Sequence, residues 1–121
     1  MEYYLEFTNS TVIKLDPLFV KNSQLIQNML STFTSNIIPV VSENVTEERV
    51  RGIEELLRHL ELGEGENICR RENLEEVVNL LNIVDYYDIK PVRDYMMNFL
   101  ERLVRGCGSV GEMEKLFGKK I

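Results

Sequence analysis

The chain has 121 residues, 44% of them hydrophobic and 28% charged, with 14 Lys and Arg against 20 Asp and Glu for a net charge of −6. That length fits one domain whose core stands without disulfide or metal staples. The acidic balance argues against nucleic acid and against an anionic membrane surface, since both need a basic face.

Tyr3, Leu5 and Phe7 alternate with more polar neighbours and predict a half-buried strand. A turn at Asn9-Ser10 and a second strand over Val12 to Leu15 would close a hairpin. Asp16-Pro17 is a helix start, because proline suits the first helical position and Asp can cap the free amides. Leu18-Phe19-Val20 then forms one short turn. Ser23 can cap a second helix that buries Ile26, Met29, Leu30 and Phe33. The β-branched run Ile37 to Val41 reads as a strand, and Pro39 within it suits a sheet edge.

Asn44 and Thr46 are both candidate caps for a helix with an apolar stripe of Val50, Ile53, Leu57 and Leu60, with Leu56 beside it. Leu62 to Arg71, with Gly63 and Gly65, reads as an exposed loop. Asn73 and Glu76 resemble a capping box for a helix with Leu74, Val77, Val78, Leu81 and Val84 on one face. Pro91 marks the next helix start, and from Val92 through Tyr95, Met96, Phe99, Leu100, Leu103 and Val104 the apolar residues recur every three or four positions. Gly106 and Gly108 end that helix. Ser109 and Glu112 form a further capping box, opening a short helix with Val110, Met113, Leu116 and Phe117 inward. Early strands followed by mostly helices predict an α+β fold, a small sheet of about three strands packed on a helical body and followed by two C-terminal helices.

No apolar run approaches the roughly 18 residues that cross a bilayer. Met1-Glu2-Tyr3-Tyr4 lacks the basic and apolar regions of a secretory signal. Cys69 and Cys107 are therefore expected as reduced thiols, and the sequons Asn9-Ser10-Thr11 and Asn44-Val45-Thr46 as unused.

Little in the chain points to chemistry. Gly106-Cys107-Gly108-Ser109-Val110-Gly111 spells the dinucleotide fingerprint, but it follows a helix rather than a strand. His59 is the only histidine, with no nucleophile at a suggestive spacing. His59, Cys69 and Cys107 lack the spacing of a zinc site. The acid pairs Glu47-Glu48, Glu54-Glu55 and Glu75-Glu76 are expected at helix starts or on solvated faces, where they complement the helix dipole. Tyr86 and Tyr87 stand about 100° apart around a helix, so one of them is expected at the surface, where an aromatic beside Asp85 would make an interface anchor.

These residues fall into a pattern. Leu81-Asn82-Ile83-Val84-Asp85-Tyr86-Tyr87-Asp88-Ile89-Lys90 is similar to the Ala-Ala-Asn-Tyr-Leu-Asp-Ile-Lys segment of the S-phase kinase-associated protein adaptors of SCF ubiquitin ligases, a branch of the BTB/POZ fold. Ser109-Val110-Gly111-Glu112-Met113-Glu114-Lys115-Leu116-Phe117 looks like their Thr-Pro-Glu-Glu-Ile-Arg-Lys-x-Phe helix. Leu25-Ile26-Gln27-Asn28-Met29-Leu30 and Asn44-Val45 match their Ile-x-x-Met-Leu and Asn-Val signatures.

The resemblance implies a non-catalytic adaptor, without cofactor, that bridges a cullin to F-box substrate receptors in the cytoplasm and nucleus. It implies a BTB/POZ-like cullin-facing part over 1–90 and a helical F-box-binding extension over 91–121, in one compact unit. It places Phe33, Ile37, Asp85 and Tyr86 on the cullin side. On the F-box side it places Val92, Met96, Met97, Leu100, Val104, Val110, Met113 and Phe117. Weak self-association of the free chain goes with this reading. An elongin C-like adaptor and a homo-oligomerising BTB module are the alternatives. Asp85 departs from the family's usual Asn, the Leu62–Arg71 loop lacks its Trp-Asp-x-Glu-Phe segment, and the chain has no Trp for a last clasping helix.

Overall fold

A computed structural model of the chain describes residues 2–32, 34–63, 74–109, 111, 112 and 115. Its elements run β1 (Tyr4–Glu6), β2 (Val12–Lys14), α1 (Pro17–Asn22), α2 (Gln24–Leu30), β3 (Ile37–Pro39), α3 (Glu47–Glu61), α4 (Leu74–Tyr87) and α5 (Lys90–Arg105). The architecture is α+β, a small mixed sheet packed on a helical body, as the order of patterns predicts.

The hairpin is the most local part of the fold. Ser10 takes a left-handed φ of 69° and donates its N–H to the Phe7 carbonyl at 2.9 Å, while the Asn9 side chain accepts from the Thr11 N–H at 3.0 Å. β1 pairs antiparallel with β2 and parallel with β3, so the sheet order is β2-β1-β3. The parallel return needs a crossover, and α1 and α2 supply it. Pro39 does lie on an edge strand. Because the Val40 N–H bonds the Glu6 carbonyl at 2.8 Å, alternation turns position 39 away from β1, where no donor is required. Leu5, Ile13 and Ile38 share the inner face of the sheet and are buried, while Val12 and Ile37 on the outer face are each 45% exposed.

Helix boundaries follow their caps. The Asp16 carboxylate accepts from the Leu18 N–H, and α1 runs to Asn22, further than the single expected turn. Thr46 rather than Asn44 caps α3, accepting from the Arg49 N–H. Asn44 instead accepts from the Arg49 guanidinium, which also grips Glu76 on α4. The Ser109 hydroxyl accepts from the Glu112 N–H, one of the two bonds of the expected capping box, while the Glu112 carboxylate accepts from the Gly108 N–H, one residue before the cap, rather than from that of Ser109. The proposed cap at Asn73 lies outside the described residues.

One core collects residues from every layer: Leu5 and Ile38 from the sheet, Phe19 and Ile26 from α1 and α2, Val50, Ile53 and Leu57 from α3, Val77, Ile83, Val84 and Tyr87 from α4, and Val92 and Met96 from α5. The helix that begins at Lys90 completes the same core. The expected inward face of α4 also shifts. Val78 and Leu81 are only half-buried, while Ile83 and Tyr87 are buried. The helix is apolar on more than one side, and its packing partners select the side that goes in.

The acid pair Glu54-Glu55 splits, which corrects the expectation that both are solvated. Glu55 is exposed, but Glu54 is 2% exposed. Its carboxylate accepts from the Asp16 N–H at 2.6 Å and from Arg51 at 2.7 Å, and Arg58 pairs with Asp16 at 2.8 Å. Burying a carboxylate is tolerated when it is hydrogen-bonded and paired. Here it ties the start of α1 to α3.

Candidate functional site

The α4–α5 junction is built by backbone hydrogen bonds. At the end of α4 the Ile89 N–H bonds the Val84 carbonyl at 3.0 Å and the Asp88 N–H bonds the Asp85 carbonyl at 3.2 Å. Asp88 has a φ of 53° and Ile89 and Val84 are both buried. This is a complete Schellman ending, with Asp in the left-handed position that glycine usually takes. Arg93, one turn into α5, donates to the Asp88 carboxylate at 2.6 Å and sits 3.9 Å from that of Asp85. It fixes the side chain of the strained residue across the corner.

The other side of the junction is held by α2. Ser23 is fully buried, and its hydroxyl accepts from the Ile26 N–H at 3.2 Å and donates to the Tyr87 carbonyl at 2.6 Å. The Gln24 N–H bonds the Asp88 carbonyl at 3.0 Å, and Ser23 bridges Ile89. Ser23 thus caps α2, as its sequence position predicts, and also saturates the end of α4, a contact across 64 positions that no local pattern announces.

Tyr87 and Tyr86 divide as helical geometry requires. Tyr87 is 2% exposed and packs edge-on against Phe19 at 5.4 Å, and burial pushes its hydroxyl up to about 12, with Tyr86 adding to the shift. Tyr86 is 53% exposed and rests edge-on against Tyr87 at 5.1 Å. Asp85 beside it points outward, its side chain 74% exposed. An aromatic ring and a carboxylate therefore stand together on a corner that buried bonds hold rigid.

Ile37, assigned by resemblance to the cullin side, is 45% exposed on the outer face of the sheet. It lines an apolar cleft of about 160 Å³ with Met29, Leu30, Ser35, Ile38 and Pro39. Met29 and Leu30 end α2, whose first residue is bonded to the junction. With seven residues in α2, the cleft and the Asp85–Tyr86 corner lie at opposite ends of a helix about 10 Å long. Phe33 lies outside the described residues.

The residues assigned to the receptor side fall into three groups. Val92 and Met96 are fully buried in the core of the chain itself and present nothing to a partner, which corrects their assignment: α5 packs on α3 and α4 and spends them there. Met97 is 51% exposed, and Leu100 and Val104 are half-buried. Val110, Met113 and Phe117 lie outside the described residues. Sequence reading missed Arg93 and Ser23 as the parts that shape the corner, and Met29 and Pro39 as lining of the cleft. Arg93 meets Asp88 only because the chain reverses at Asp88, in its left-handed conformation.

His59 lies 3.6 Å from Glu55 on the same helix, and Cys107 donates its thiol to the Leu103 carbonyl. Among the described residues no group of three or more His, Cys, Asp or Glu is arranged to hold a metal ion, and no helix is long and apolar enough to cross a membrane. In comparisons with known proteins, no family model matches the chain, and no curated protein matches it either.

Proposed function

We propose that the chain is a non-catalytic adaptor of an SCF-type cullin–RING ubiquitin ligase, acting in the cytoplasm and nucleus, with a BTB/POZ-type body that joins a cullin to F-box receptors. The observation that carries this reading is the Asp85–Tyr86 corner. It is an exposed aromatic on a turn locked from beneath by Ser23, Tyr87 and Ile89. Protein interfaces concentrate their binding energy in rigid, partly exposed aromatics of this kind. The element order and the sequence segments similar to those of the S-phase kinase-associated adaptors support the same reading, as do the half-open apolar positions Leu100 and Val104 on the outer part of α5.

The test is co-purification and titration of the full chain with cullin N-terminal domains and with F-box segments. Tyr86→Arg is expected to abolish cullin binding while the circular dichroism spectrum and F-box binding persist. Absence of binding to both partner classes at micromolar concentration refutes the proposal. Light scattering separates the homo-oligomeric alternative, which requires a tight dimer that no F-box segment dissociates.

A further inference from the structure

We infer that the partner surface docking on the Asp85–Tyr86 corner presents an arginine, whose guanidinium pairs with the Asp85 carboxylate and lies against the Tyr86 ring. This rests on the proposal that the corner is the cullin-facing edge, and it names the chemistry of the contact there.

Two carboxylates, Asp85 and Asp88, share one guanidinium at the corner, and they share it unequally. Arg93 holds Asp88 at 2.6 Å but stands 3.9 Å from Asp85, too far for a hydrogen bond. Asp85 thus keeps most of its acceptor capacity on the solvent side, with its side chain 74% exposed against 44% for Asp88. Covering it with an apolar partner would strand a carboxylate, at a cost that a protein interface avoids by pairing. The chain carries a net charge of −6, so a basic partner is also favoured at long range.

Tyr86, the next residue on the helix, is also exposed, at 53%, and its ring is held edge-on by Tyr87 at 5.1 Å, so a long partner side chain is needed to reach both groups. A side chain that can satisfy both neighbours must donate in a planar fork to a carboxylate and stack on an aromatic surface. Arginine does both, whereas the lysine ammonium is a compact, strongly hydrated point charge.

The experiment titrates the full chain and its variants with each cullin N-terminal domain at about 50 and about 300 mM salt, where screening separates charge from apolar contact. Asp85→Asn preserves shape and removes the charge. The inference expects it to weaken binding about tenfold or more at low salt and to flatten the salt dependence. Replacing one arginine of the bound cullin domain by Asp should cost a similar factor, and Asp85→Arg should restore part of it. If Asp85→Asn leaves affinity and salt dependence unchanged while Tyr86→Arg abolishes binding, the corner is an interface without the cation. That overturns this inference and leaves the proposed function standing. If a cullin domain binds and neither substitution matters, or if none binds, the assignment of the surface fails and this inference fails with it. Both side chains are exposed, so thermal melting of the variants checks that the fold is intact.

Discussion

The two halves of α5 have the same periodicity and opposite fates. In the first half Val92 and Met96 are fully buried against the core that the sheet, α3 and α4 assemble. In the second half Leu100, Leu103 and Val104 continue the same stripe yet remain half-buried, and Met97 on its flank is 51% exposed. An amphipathic pattern states which side of a helix avoids water. It does not state how far along the helix the rest of the chain reaches to cover that side. The early half of α5 is fully committed to the core, and the later half is left half-buried among the described residues.

Substitutions can break this contrast. The largest effect is expected from Met96→Ala, which empties a fully buried site and should cost about 2 to 5 kcal/mol in chemical denaturation. Leu103→Ala should cost clearly less, and equal losses would mean that both halves are core.

Next comes alkaline pH. The Tyr87 hydroxyl is raised from 10.0 to about 12 by burial. A group favoured in its protonated form by folding contributes stability that is complete below pH about 10 and is lost as pH rises through about 12. The loss approaches roughly 3 kcal/mol above that window. The Tyr4 hydroxyl and the Lys14 ammonium are also raised, by their contacts with Glu2, and shift stability in the same direction. Tyr87→Phe should therefore remove most, not all, of the slope between about pH 10 and 12.

Ser23→Ala should cost about 1 to 2 kcal/mol, since it removes the cap of α2 and leaves the buried Tyr87 carbonyl without its donor. Hydrogen exchange should then rise at the amides of Ile26, Asp88 and Ile89 before it rises in the sheet. The smallest effect belongs to Met97→Ala. It should change stability by less than about 0.5 kcal/mol while weakening F-box binding, which would sharpen the division of α5 into a structural and a docking half.

Much of the fold was legible because its signals are local. The hairpin turn at Asn9-Ser10, the starts at Asp16-Pro17, Ser23 and Thr46, and the edge position of Pro39 each depend on a few neighbouring residues. The misreadings share one cause. Glu54 resembles any solvated helix carboxylate until Asp16 and Arg51 are brought to it, and the inward side of α4 cannot be chosen while several of its sides are apolar. The candidate site was half visible. Tyr86 and Asp85 could be named from helical spacing and resemblance. The clamp by Arg93 could not, because it requires the chain to reverse at Asp88 in a left-handed conformation that Asp adopts without advertising it.

The sequence by itself determined the element types, most caps, and which faces are apolar, because those follow from hydrogen-bonding and helical or strand periodicity within a few residues. Tertiary structure alone decided that Val92 and Met96 are consumed by the core, that Glu54 is buried, and that Asp85 and Tyr86 stand outward on a corner tied to Ser23 across 64 positions. Those outcomes depend on which distant surfaces meet, and the free energy of such meetings is shared among all the residues that make them.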